Sequence, residues 1–276
     1  MQKAIRYIDT HGHVNFPEYD ADREEVIRRA QEAGVGMITV GTDIESSRRA
    51  IELAETHENM WAVVGIHPTE IKPEQINLDQ DEKDFQELRK MALHPKVVAL
   101  GECGLDYFHC EPADIPAQAD AFEKHIAIAN EAKKPLMLHV RNGKKKGESA
   151  LSDGDAYKDA LNILKKSARV PFNFHFFAGS AEDIKEIFKL GGTVSFTGVL
   201  TFTHDYDELI KQAPLGSIMS ETDCPYVAPV PHRGKRNEPV HVIEVVKAIA
   251  RIRGEDEEKT RAALMGTARR SFSLPG

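Results

Sequence analysis

Short apolar runs alternate with amphipathic stretches along the whole chain. The apolar runs fall at Ile5–Asp9, Met37–Val40, Trp61–Ile66, Val97–Leu100, Pro135–Val140, Phe172–His175, Thr193–Phe196 and Ser217–Met219, and their length predicts strands. The stretches between them repeat apolar positions at helical spacing. Ala21–Ala33 places Val26, Ile27 and Ala30 on one face and stops at Gly34; Ser46–His57 does the same with Ala50, Ile51 and Ala54. Ala117–Ala132 carries Phe122, Ile126 and Ala129. Ser180 caps a helix with Ile184, Ile187 and Phe188 on its apolar face, which ends at Gly191; Val240–Ile252 and Glu257–Ala268 are the last two helices. Eight strands alternating with helices imply parallel βαβ units, and a closed (β/α)8 TIM barrel accounts for the count. A doubly wound open sheet is the alternative, but no GxGxxG turn follows the first strand.

Length and composition narrow the choice. The 276 residues match the roughly 250 of a typical barrel, and no linker or short-period repeat divides them, so one domain over 1–276 is expected. No apolar run approaches the ~20 residues of a membrane helix, and the N-terminus enters a strand without a secretory segment. Cys103, Cys110 and Cys224 form no CxxC and cannot all pair, which points to the cytoplasm. A net charge of −8 argues against broad binding to duplex DNA, but not against a nucleic acid held locally where cations supply the positive charge. The longest polar interruption, Arg141–Asp155 with Lys144-Lys145-Lys146, reads as a loop over one barrel end with solvated lysines.

The chemistry sits at the strand ends. The first strand runs into Asp9-Thr10-His11-Gly12-His13, and an extended His-x-His puts both imidazoles on one side of the backbone. The third strand ends in His67, the fourth meets Glu102, the fifth ends in His139, the sixth in His175, and the eighth runs into Asp223. Taken singly, His67 before Pro68 reads as a turn residue, His139 and His175 as core histidines, and Asp223 as a turn former. In a barrel, however, these carboxyl ends share one face, where active sites are built. Four histidines and two carboxylates exceed the needs of one tetrahedral ion and suit two divalent ions bridged by a carboxylate, for which Glu102 is the candidate. The imidazoles favour zinc, manganese, iron or cobalt over magnesium by ligand softness.

The motifs Asp9–His13, Gly65-Ile66-His67-Pro68, Gly101–Tyr107, His139-Val140-Arg141, His175–Gly179, Glu221–Pro225 and Asn237-Glu238-Pro239 resemble, in order and over nearly the whole chain, the TatD family of metal-dependent deoxyribonucleases. The resemblance implies a (β/α)8 barrel of the amidohydrolase superfamily with 3′–5′ exonuclease and DNase activity. It implies two divalent ions, zinc, magnesium or manganese. One would be held by His11, His13, Glu102 and Asp223, the second by Glu102, His139 and His175. His67 and Arg141 would contact the substrate phosphate, with Arg233 as a further contact. Cys224 stands where the family has alanine, Phe176-Phe177-Ala178-Gly179 where it has Cys-Phe-Ser-Gly, and Gly266-Thr267 where it has Asn-Thr; these departures bear on substrate preference and remove no ligand.

The expected reaction is metal-dependent hydrolysis of phosphodiester bonds, with Asp223 as general base, Glu102 as bridge, and single-stranded or frayed DNA ends as substrate. Two alternatives use the same residues. The first is cleavage of an ester, amide or lactone, including aminoacyl-tRNA deacylation, since activated water does not choose between carbon and phosphorus. The second is a non-catalytic barrel that binds nucleic acid or a partner protein.

Overall fold

The computed structural model describes residues 4–71, 78–143 and 154–275. The lysine run at 144–146 lies outside them. Eight strands, β1 (Tyr7–Gly12), β2 (Val35–Val40), β3 (Met60–Val64), β4 (Val97–Asp106), β5 (Leu136–Arg141), β6 (Phe172–Phe174), β7 (Thr193–Phe196) and β8 (Ile218–Ser220), pair in sequence order, each parallel to the next. The circle closes where the end of β1 meets the segment after β8. There Gly12 bridges Cys224, His13 N–H donates to Cys224 O at 2.7 Å, and Asp223 N–H donates to His11 O at 2.9 Å. The chain is a (β/α)8 barrel.

Helices α1 (Arg23–Glu32), α2 (Ile44–Thr56), α3 (Leu78–Met91), α4 (Ile115–Ala132), α5 (Ala156–Ser167), α6 (Ala181–Lys189), α7 (Asp207–Gln212), α8 (Val242–Arg253) and α9 (Glu257–Phe272) alternate with the strands. The apolar stripes expected on α1, α2, α4 and α6 are buried as Val26, Ile27, Ala30, Ala50, Ala54, Phe122, Ile126, Ile184 and Ile187. The sequence pattern did not mark α3, α5 or α7. Among the described residues, no helix is long and apolar enough to cross a membrane.

Two apolar layers follow from the strand alternation. Residues such as Tyr7, Val35, Leu100, Leu136 and Phe174 point outward to the helices. Ile8, Ile38, Val40, Trp61, Val63, Ala99, Met137 and Met219 fill the inside, and Ala268 and Phe272 of α9 pack with them. The polar residues stand on top of this inner layer, and two strands break strict alternation to put them there. On β1 the inside position passes from Ile8 to His11, with a register shift between Asp9 and Gly12. On β4 it passes from Ala99 to Glu102, with a shift between Leu100 and Cys103. Gly101 and Gly104 flank Glu102 at φ +148° and +137°, and a Cβ on either would lie 2.2 Å from Met137 O or 2.1 Å from His139 O. Only glycine lets β4 pass so close to β5 here. On β5, β6 and β8 the alternation is regular, so Met137 leads to His139 and Arg141, Asn173 to His175, and Met219 to Glu221 and Asp223.

Candidate metal centre

Two groups of ligand atoms face each other across the Glu102 carboxylate. On one side, His11 Nε2 and His13 Nε2 are 3.1 Å apart. Glu102 Oε2 lies 3.4 and 3.6 Å from them, and Asp223 Oδ1 lies 3.7 and 3.6 Å away. On the other side, Glu102 Oε1 is 2.7 Å from His175 Nε2, 2.8 Å from His139 Nδ1 and 3.3 Å from His67 Nε2. The two oxygens of one carboxylate thus serve different clusters. All of the sequence-derived ligand candidates, His11, His13, Glu102, His139, His175 and Asp223, meet within these two groups, which form ligand-spaced sets with one another. His67 joins Glu102 and His139 in one such set, so its Nε2 is placed to face either an ion or a phosphate oxygen.

The donor chemistry fits divalent cations. Val40 O can only accept, so His13 Nδ1, 2.9 Å away, carries the proton and its Nε2 offers a lone pair to the cluster. His11 Nδ1 lies 3.0 Å from the Met137 sulfur, a weak acceptor, again leaving Nε2 inward. Asp106 Oδ2 accepts from His139 Nε2 at 2.9 Å, which turns Nδ1 toward Glu102. Nitrogen lone pairs and carboxylate oxygens converging at such spacing repel one another unless protons or cations lie among them.

The titration of these groups reflects that crowding. Burial opposes charge on Glu102, yet the His175, His67 and His11 rings hold its carboxyl well below the usual range. Burial also opposes charge on Asp223, and His13 and His11 outweigh it and keep that carboxyl low. Against the cost of burial, Glu102 and Glu221 hold His175 well above the ordinary imidazole value, and Asp106 and Glu102 raise His139. Burial lowers His11, helped by the neighbouring His175 ring, which stacks on it at 3.8 Å. Cations binding here would take the place of these protons.

A second layer of residues, which the sequence pattern does not mark, aims the first. Asp106 accepts on Oδ1 from Phe108 and His109 N–H at 2.9 Å each, and its Oδ2 meets both His109 Nδ1 and His139 Nε2 at 2.9 Å. Hydrogen bonds from His139 and His109 overcome its burial and hold its carboxyl far below the usual range. Glu221 accepts from Phe176 N–H at 2.6 Å and Ser195 Oγ at 2.5 Å, 3.4 Å from His175 Nδ1. Asp9 accepts from Thr222 N–H at 2.8 Å and Thr222 Oγ at 2.6 Å, tying β1 to the segment that carries Asp223. The register that puts His139 inside, followed to the end of β4, is the signal that could have singled out Asp106.

The two arginines stand outside these clusters. Arg141 lies on the inward side of β5 beyond His139 and is exposed, its guanidinium 3.8 Å from the centre of the Phe108 ring. Arg233, in the loop after β8, lies 3.7 Å over Phe202, a ring 42% exposed in the loop after β7. Neither forms an ion pair with another described residue. Tyr226 is 51% exposed, and burial together with the Glu18, Asp223 and Glu102 carboxylates raises its hydroxyl pKa, which puts it in electrical reach of the centre. Arginines on aromatic rings therefore border the mouth on loops from β4, β5, β7 and β8.

Comparison with known proteins gives the family. The TatD related DNase family matches residues 8–273. The metal-dependent hydrolase YabD of Bacillus subtilis is 35% identical over 271 residues, covering 96% of this chain and 98% of its own. The 3′–5′ ssDNA/RNA exonuclease TatD of Erwinia tasmaniensis is 32% identical over 266 residues, 93% of this chain and 96% of its own. The crystal structure of the TatD homologue YjjV from Escherichia coli superposes with a TM-score of 0.84 at 27% identity, covering 98% of this chain and 99% of that one. With the barrel and the convergent strand ends already in place, a match of this extent makes the chain a member of the TatD family of metal-dependent hydrolases.

Proposed function

We propose that the protein hydrolyses phosphodiester bonds of nucleic acid, working 3′ to 5′ from single-stranded or frayed ends, with two divalent ions. His11, His13, Glu102 and Asp223 would hold one ion, and Glu102, His139 and His175 the other. Ions so placed, whether zinc, manganese or magnesium, supply Lewis acidity and ease the deprotonation of water. The rest falls to the chain. Asp223 takes the proton of the attacking water. His67 and Arg141 bind phosphate oxygens, and Arg233 binds the next phosphate along the strand.

The observation that carries this reading is the pairing of the shared carboxylate with the border around it. Glu102 divides its oxygens between two ligand clusters, and guanidinium groups without an ion pair among the described residues stack on aromatic rings at the mouth. Aromatic and guanidinium planes stack on unpaired bases, and the guanidinium charge answers phosphate. A small ester needs neither. The name of the Erwinia tasmaniensis relative supports the same substrate class.

The test is an end-labelled oligonucleotide assay with EDTA-stripped protein reloaded with magnesium, manganese or zinc. Single-stranded DNA should shorten stepwise from its 3′ end, and blunt duplex should lag behind. Intact oligonucleotides alongside hydrolysis of aryl esters or aminoacyl-tRNA would contradict the proposal.

A further inference from the structure

The Asn237-Glu238-Pro239 motif has no part in the reaction described so far, yet Asn237 is fully buried beside it. Its amide uses every bond it can make. Nδ2 donates to Thr222 O at 2.9 Å and to Tyr226 O at 2.7 Å. Oδ1 accepts from Glu238 N–H and from His241 Nδ1, both at 2.9 Å. The main chain is engaged as well: Asn237 N–H donates to Pro225 O at 3.0 Å, and Asn237 O accepts from the Tyr19 hydroxyl at 2.6 Å. Thr222 and Tyr226 bracket Asp223-Cys224-Pro225, so one amide group grips both ends of the turn that presents Asp223.

That turn needs holding. Asp223 has φ +54°, the left-handed region that a side chain with a Cβ adopts only under constraint. From the barrel side, β1 grips the same turn through His11 O and through His13 N–H. Asn237 grips it from the opposite side. It is anchored in turn by its neighbours: Arg236 pairs with Asp22 at 2.6 Å and Glu238 with Arg29 at 2.9 Å, both partners lying at or on α1.

We propose that Asn237 is a positioning residue that fixes the Asp223 turn so that its carboxylate faces His11 and His13. The inference rests on the reading of Asp223 as a ligand. No other donor among the described residues spans the two carbonyls, and alanine or serine in its place cannot donate to both.

The test is a manganese titration of stripped protein, read by calorimetry, for wild type, Asp223→Asn, Asn237→Ala and the double variant, with folded fraction checked by circular dichroism. Asn237→Ala should weaken the manganese site that Asp223→Asn also weakens by about 10-fold or more. Adding it to Asp223→Asn should change affinity by less than about 2-fold, because the same contact is already lost. Asn237→Ser, whose hydroxyl restores one donor, should fall between wild type and alanine, and it serves if the alanine variant fails to fold. Weak binding by Asp223→Asn with wild-type binding by Asn237→Ala and Asn237→Ser would overturn the proposal and leave the ligand reading standing, as would additive losses in the double variant. Wild-type binding by Asp223→Asn would overturn both.

Discussion

His125 offers a prediction that can be worked through to a number. It sits inside α4 with no exposed surface, and its two ring nitrogens have opposite duties. Nδ1 lies 2.7 Å from Ala121 O and must donate, while Nε2 accepts the Ile66 N–H at 3.0 Å, one residue before His67. A proton on Nε2 would point N–H at N–H. Burial, partly offset by the Ala121 bond, accordingly lowers its pKa from 6.5 to about 4. Since the folded value is the lower one, the unfolded chain takes up the proton first. The stability is whole above pH 6.5, falls as the pH drops from 6.5 toward 4, and levels off below that. At about 1.4 kcal/mol per pH unit the full span is worth about 3 kcal/mol, and the part between pH 6.5 and about 5 is worth about 2 kcal/mol. A His125→Gln variant keeps an acceptor for the same N–H but has no titrating group there. Urea unfolding of both proteins in EDTA, followed through buried Trp61, supplies the assay. Between about pH 7.5 and pH 5, wild type should lose about 2 kcal/mol more than the variant, whatever the other groups do to both. Parallel losses in the two proteins would mean that His125 takes up its proton alike in the folded and unfolded chain, and a steeper loss in the variant would mean that folding favours the charged ring.

Three further outcomes follow from the centre. Asp223→Asn should cut turnover about 100- to 10,000-fold while the fold survives, and nuclease activity equal to wild type would remove Asp223 from the reaction. Asp106→Asn takes away the acceptor that turns His139, and manganese affinity should drop about 10- to 100-fold; unchanged affinity would free Asp106 of that role. Gly104→Ala sets a Cβ 2.1 Å from His139 O at φ +137°, which should destabilise the barrel by about 2–4 kcal/mol in chemical denaturation, and an equally stable variant would contradict the close approach of β4 and β5.

What the sequence made legible follows from how a barrel is built. Strand ends share a face, so His11, His13, Glu102, His139, His175 and Asp223 could be gathered from across the chain without coordinates. The alternation rule served for β5, β6 and β8 and failed on β1 and β4. There a register shift turns His11 and Glu102 inward where period two would turn them out, and only the pair of glycines around Glu102 hinted at it. The residues that orient these side chains were harder to see. Asp106 and Glu221 act through neighbours on other strands, and nothing local separates them from turn carboxylates. The unmarked helices have local causes as well. Ala160, Leu161 and Leu164 of α5 follow directly on a polar run that reads as loop, and α7 is only six residues long. In α3, charged residues surround the buried Phe85 and Leu88.

The central claim is that Glu102 is shared between two ions. Anomalous diffraction from crystals grown with manganese tests it most directly. Two peaks should flank the Glu102 carboxylate, one among His11, His13 and Asp223 and one beside His139 and His175. A single peak, or peaks away from Glu102, would contradict it.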